Sequence, residues 1–139
     1  MHRSGRVLVG AVVLATTAFP LAGAHAAPAD VTRGSFSGTT FTGCDGEQIS
    51  ISGTFTRIRK QHADGSHEVR DQVHGTGAGS DGTAYVYRET VSFGYVDYRP
   101  MEHYRRTILL VSTGSQPNLR AETTISNGVP VAAEAVCTG

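Results

Sequence analysis

Four histidines downstream of the N-terminal segment, His62, His67, His74 and His103, are the side chains best suited to metal or proton chemistry. His62 and His67 flank Asp64-Gly65, where a tight hairpin would set them face to face; zinc would then need His74 or Glu68 as a third ligand. No C-x-x-C, H-E-x-x-H or EF-hand spacing accompanies them, so they read as polar residues beside a turn and no metal site is assigned. Gly77-Ala78-Gly79-Ser80-Asp81-Gly82 spells G-x-G-x-x-G, which holds a dinucleotide when a strand precedes it and a helix follows. Here the strand-forming residues 83–87 follow, so the segment reads as a hairpin loop. It also lacks the first glycine and the strand-turn-helix setting of a nucleophile elbow. Asp45 and Glu47 could share a strand face as an acid–base pair, but they read as a solvated strand end. Arg57, Arg59, Lys60 and Arg70, close to Glu68 and Asp71, read as a salt-bridged exterior. No catalytic residue and no cofactor follows from these patterns.

The tyrosines carry more information. Tyr85 and Tyr87 alternate onto one side of a strand with Glu89 next in line, and Tyr104 falls on an apolar face further on. Turned inward, Tyr85, Tyr87, Glu89 and Tyr104 would give aromatic walls and one buried charge, which suits a small amphipathic ligand. Turned outward, the rings would offer a patch to a protein or a polysaccharide.

Strands must position these residues. Ile49, Ile51, Gly53 and Phe55 alternate with Ser50, Ser52, Thr54 and Thr56, a period of two with one face in and one out. Tyr85, Tyr87, Val91 and Phe93 repeat the pattern, as do Leu119 to Ile125 and Val129 to Ala135. Residues 103–111 are apolar on both sides near their end, the mark of a covered strand. No window carries a helical stripe. Asn127-Gly128 between two alternating runs is a hairpin signal, Asp64-Gly65 divides another pair, and the glycine-rich residues 75–82 link the next. The expectation is an all-β antiparallel meander of about seven or eight strands. A closed lipocalin-like barrel is the favoured form and a β-sandwich the alternative.

The chain opens with a basic stretch, an apolar run from Val7 to Leu21 and Ala24-His25-Ala26, the anatomy of a secretory signal peptide over residues 1–26. Residues 27–139 then form a single all-β domain. The full sequence balances 12 basic against 12 acidic residues, and removal of Arg3 and Arg6 leaves the remainder slightly acidic. That balance argues against nucleic-acid binding and against a polybasic membrane surface. The expected location is extracellular, with no membrane association once the signal is cleaved. In an oxidising compartment the only two cysteines, Cys44 and Cys137, pair most simply with each other. In an up-and-down barrel that bond would fasten the first strands to the last.

Cys44-Asp45-Gly46-Glu47, Ser52-Gly53-Thr54-Phe55, the run Ser112-Thr113-Gly114-Ser115-Gln116-Pro117-Asn118 and Cys137 resemble a group of small secreted all-β proteins of actinobacteria. The resemblance implies a signal peptide, an all-β domain and one disulfide; it carries over no activity, cofactor or catalytic residue. The chain departs from the group over residues 95–103. The functional expectation is a monomeric, non-enzymatic barrel that binds a small, partly apolar ligand. An extracellular protein-interaction or inhibitor module is the alternative, and a barrel isomerase or cyclase the second alternative.

Overall fold

The computed structural model describes residues 27–97, Arg99 and residues 103–139. Residues 1–26, where a signal peptide is expected, and Tyr98 lie outside the described residues. The chain forms β1 (Asp30–Thr42), β2 (Gln48–Gln61), β3 (His67–Gly79), β4 (Ala84–Tyr95), β5 (His103–Ser112), β6 (Asn118–Ser126) and β7 (Val129–Thr138). There is no helix among the described residues. Each strand pairs antiparallel with the next in one sheet of order β1-β2-β3-β4-β5-β6-β7, so the meander is as expected. The sheet is not closed, because β1 and β7 share no ladder. An odd number of meander strands leaves these two edges running parallel, so direct closure would need a parallel pair in an otherwise antiparallel sheet.

Three hairpins share one local design. Asp45-Gly46, Asp64-Gly65 and Asp81-Gly82 each place the glycine at positive φ, at 81°, 83° and 87°. Each loop is spanned by a backbone pair of the same kind: Gly43 N–H to Glu47 O at 2.8 Å, His62 N–H to Ser66 O at 2.8 Å, Gly79 N–H to Thr83 O at 2.8 Å. This is the type I turn followed by a left-handed residue, a conformation that costs glycine no Cβ clash. In two of them the aspartate also accepts from the backbone two residues on, Ser66 N–H to Asp64 at 2.9 Å and Thr83 N–H to Asp81 at 2.8 Å. Asn127 and Gly128, at φ 50° and 75°, make the two-residue turn between β6 and β7.

Residues 75–79 are not a loop, contrary to their glycine content: β3 continues through them to Gly79. Gly75 and Gly77 stand opposite Tyr87 and Tyr85 in the β3–β4 register. A Cβ on Gly75 would lie 2.6 Å from Ser52 O, and one on Gly77 2.9 Å from a methyl of Ile49. The missing side chains therefore let β2 and β3 approach closely, and Ile49 and Ile51 of β2 fill the space above the two glycines.

Alternation decides the two faces. Ile49, Ile51, Tyr85, Tyr87, Ile108 and Leu110 form the buried cluster on the inner face, with Phe36, Phe41, Val73, Leu119 and Ala121 packed against it. The ring of Phe41 meets that of Tyr87 at a centroid distance of 5.1 Å, although β1 and β4 are not neighbours. That contact requires the sheet to curl on itself. A register shift between Phe36 and Thr39, with Gly38 at φ 75°, adds local bend to β1. The outer side of β5 is not covered as its apolar sequence implies: Leu109 is 37% exposed.

The end of the sheet that carries Cys44 is the cross-linked one. Cys44, in the β1–β2 turn, and Cys137, near the end of β7, stand at disulfide distance with Cα atoms 5.9 Å apart. Ser80 N–H donates to Gln48 O at 3.0 Å, Gln116 to Asp81 at 2.9 Å, and Ser112 N–H to the Asn118 side chain at 2.9 Å. The Ser112–Asn118 motif is thus a structural turn knitted to the β3–β4 hairpin.

Candidate functional site: the inner face of the curled sheet

The inner face divides into a packed end and a hollow end. Beyond Tyr87, toward the end away from the disulfide, the inward positions turn from aliphatic to charged: Arg57 on β2, Asp71 on β3, Glu89 on β4 and Arg106 on β5. Arg57, Asp71 and Arg106 lie in one cross-strand row, because Arg57 stands opposite Asp71, Asp71 opposite Val91, and Val91 opposite Arg106; Glu89 stands one inward position nearer Tyr87, opposite Val73 and Ile108, and completes the band. Arg57 donates to both carboxylate oxygens of Asp71, at 2.8 and 2.7 Å. Asp71, at 14% side-chain exposure, is the better shielded partner. Glu89 accepts from the Tyr87 hydroxyl on one oxygen and from Arg106 on the other.

The electrostatics follow from this pairing. The hydrogen bond to Asp71 raises Arg57 above its ordinary range. Burial works against the charge of Arg106, but the adjacent Glu89 outweighs it and leaves Arg106 raised too. Burial, reinforced by the bond to Glu89, holds the Tyr87 phenol well above its usual range. Each of the four charges in the band thereby has a partner of opposite sign.

Two adjoining clefts open over this band. One, of about 260 Å³, is lined by Phe36, Thr39, Phe55, Val73, Tyr87 and Glu89 together with the Arg57–Asp71 pair. The other, of about 370 Å³, continues past Phe55 and Arg57 to Asp30, Arg59, Val69, Phe93 and Tyr95. Phe55 lies across Gly34 of β1, where a Cβ would come within 2.6 Å of the ring. The absence of a side chain at residue 34 therefore makes room for the ring, which forms a wall shared by both clefts.

The four tyrosine-set residues separate in the structure. Tyr87 and Glu89 face the first cleft and touch each other. Tyr85 is 2% exposed and belongs to the packed end, where its hydroxyl donates to Glu47. Tyr104 stands opposite Phe93 and Ile125 on the inner side of β5, at the hollow end. Sequence reading did not foresee Phe36, Phe55, Arg57 and Asp71 as lining residues. The alternation that placed Phe55 inward extends by one step to Arg57, so the signal for that residue was present. Arg57 is exposed and salt-bridged to Asp71 as expected, and the pair stands on the cleft side of the sheet.

Other sequence candidates fall outside this site. Asp45 lies in a turn and not on a strand face with Glu47. His62 does not face His67: Gln61 is the register partner of His67, and His62 pairs with Ser66 across the loop. His74 sits mid-strand opposite Thr54 and Arg88. Among the described residues, no three His, Cys, Asp or Glu side chains already converge as a metal site. No family model, curated protein or solved structure matches the chain.

Proposed function

We propose that this is a secreted, non-enzymatic binding protein whose inner face holds a small, uncharged, partly apolar molecule. The observation that carries the reading is the pair of adjoining clefts, walled by Phe36, Phe55, Val69, Val73 and Phe93 and floored by ion pairs that satisfy one another. Apolar walls with a few fixed polar groups are the usual make-up of a small-molecule site. Charged ligands are disfavoured because they would have to break an internal pair or remain uncompensated. The Cys44–Cys137 pair is compatible with an oxidising, extracellular setting. Native mass spectrometry of the protein purified from its own host, together with titration of a neutral solvatochromic dye, tests the reading. A co-purified neutral adduct and dye binding that Thr39→Trp abolishes are expected, since Thr39 is an exposed residue lining the first cleft. Absence of both adduct and dye binding, or dye binding indifferent to Thr39→Trp, refutes it.

One observation favours a second reading, an extracellular protein-interaction module. Val129 and Val131 are 60% and 61% exposed on the free edge strand β7, within a run of five apolar residues. An exposed apolar edge is a template for strand addition. Dye binding would be untouched by Val131→Lys under the first reading, whereas partner capture would be lost under the second.

A further inference from the structure

The end of the sheet away from the disulfide carries a second feature at its rim, where the outward Glu68 and His103 meet the inward His67 and Tyr95. Glu68 on β3 stands opposite Gly94 on β4, and His103 of β5 folds over the same glycine. A Cβ on Gly94 would lie 3.4 Å from His103 Cε1 and 3.7 Å from its Nε2. Because residue 94 has no side chain, a pit of about 170 Å³ opens there, bordered by His62, His67, Glu68 and His103. His62 reaches in from the β2–β3 turn, with Nε2 3.8 Å from Glu68 Oε2. His67 borders the same pit, and its Nδ1 is buried with no hydrogen-bond partner.

We propose that His62, Glu68 and His103 bind a borderline divalent cation such as Zn²⁺ in this pit. Ligand atoms about 2.1 Å from a tetrahedral ion lie about 3.4 Å from one another. His62 Nε2 and Glu68 Oε2, at 3.8 Å, are therefore close to the spacing that one shared ion imposes. His103 already leans over the floor, and Gly94 offers nothing to obstruct its approach. The three side chains do not already converge in the structure. His62 and Glu68 are each 51% exposed, so convergence needs rotation of solvated side chains and no repacking of the core. Two imidazoles and one carboxylate select zinc, copper or nickel over magnesium and calcium, which prefer all-oxygen shells. The fourth tetrahedral position is left to water or to an outside ligand.

Calorimetric titration of ZnCl₂ into the intact protein, repeated with CoCl₂ and visible spectroscopy, tests the site. One ion per chain is expected, with His103→Gln and Glu68→Gln each weakening binding by roughly tenfold or more and removing the cobalt bands. His74→Ala, mid-strand on β3, leaves affinity unchanged. Far-UV circular dichroism identical to the parent ties any loss to the ligands, and both replaced side chains are exposed. No zinc heat and no cobalt band overturns the proposal; so does binding that survives both His103→Gln and Glu68→Gln.

Discussion

Replacing Cys44 and Cys137 together by serine opens a covalent loop with a sequence separation of 93 residues. In the chain-entropy model a loop of that length removes about 16 cal/mol/K from the unfolded ensemble, or about 4.6 kcal/mol at 25 °C. A domain of this size has a total stability of about 5–15 kcal/mol, so the cross-link accounts for a large share. With a urea m-value of about 1.5 kcal/mol/M, the midpoint should fall by about 3 M. Tyrosine near-UV circular dichroism can follow the transition, since the chain has no Trp. The topology adds a local consequence. β7 is held by β6 along one side only, its other edge is free, and its ladder contains a register shift near Ile125. In the serine variant the β7 amides should therefore exchange with solvent well before those of β2 to β5. A midpoint drop below about 1 M, or β7 amides that keep their protection, refutes this account of the cross-link.

Two further outcomes follow from close packing and from the buried phenols. Gly53→Ala should cost about 1–3 kcal/mol in urea unfolding, because its Cβ would meet His74 O at 2.1 Å and Gly75 Cα at 2.6 Å, both backbone. Gly114→Ala, whose nearest neighbour would be 3.6 Å away, should change stability by less than about 0.5 kcal/mol. Burial, followed by hydrogen bonds to Glu47 and Glu89, raises the phenol pKa values of Tyr85 and Tyr87 in the folded protein. Raised folded values mean that the associated stability is complete below the unfolded pKa of about 10 and is lost as pH climbs beyond it. Phenolate absorbance should show two of the five tyrosines ionising only as the near-UV signal collapses; ionisation of all five with that signal intact contradicts their burial.

How much of this was legible depended on the range of the signal. Ile49, Ile51 and Phe55 revealed their face by alternation with serine and threonine, and that face is the inner one. Asn127-Gly128 and Asp64-Gly65 revealed their turns because positive φ is a local requirement that few residue types meet. The glycines at 75, 77 and 79 misled, since their flexibility suggested a loop. The ladder partners Tyr87 and Tyr85, and the Ile51 and Ile49 side chains that lie over Gly75 and Gly77, explain why they remain in a strand. The candidate site was legible in part: Tyr87 and Glu89 were singled out, whereas Phe36 and Asp71 were not.

Local chemistry by itself determined the all-β class, the meander order and the cysteine pairing, because alternation, turn residues and a count of two thiols need no knowledge of distant neighbours. Whether the sheet closes was decided only in three dimensions, where seven strands leave parallel edges that do not pair. The same holds for the site. Phe36 and Tyr87 come to one cleft, and Glu89 reaches Arg106, through curl and register, which arise from contacts between residues far apart in the chain.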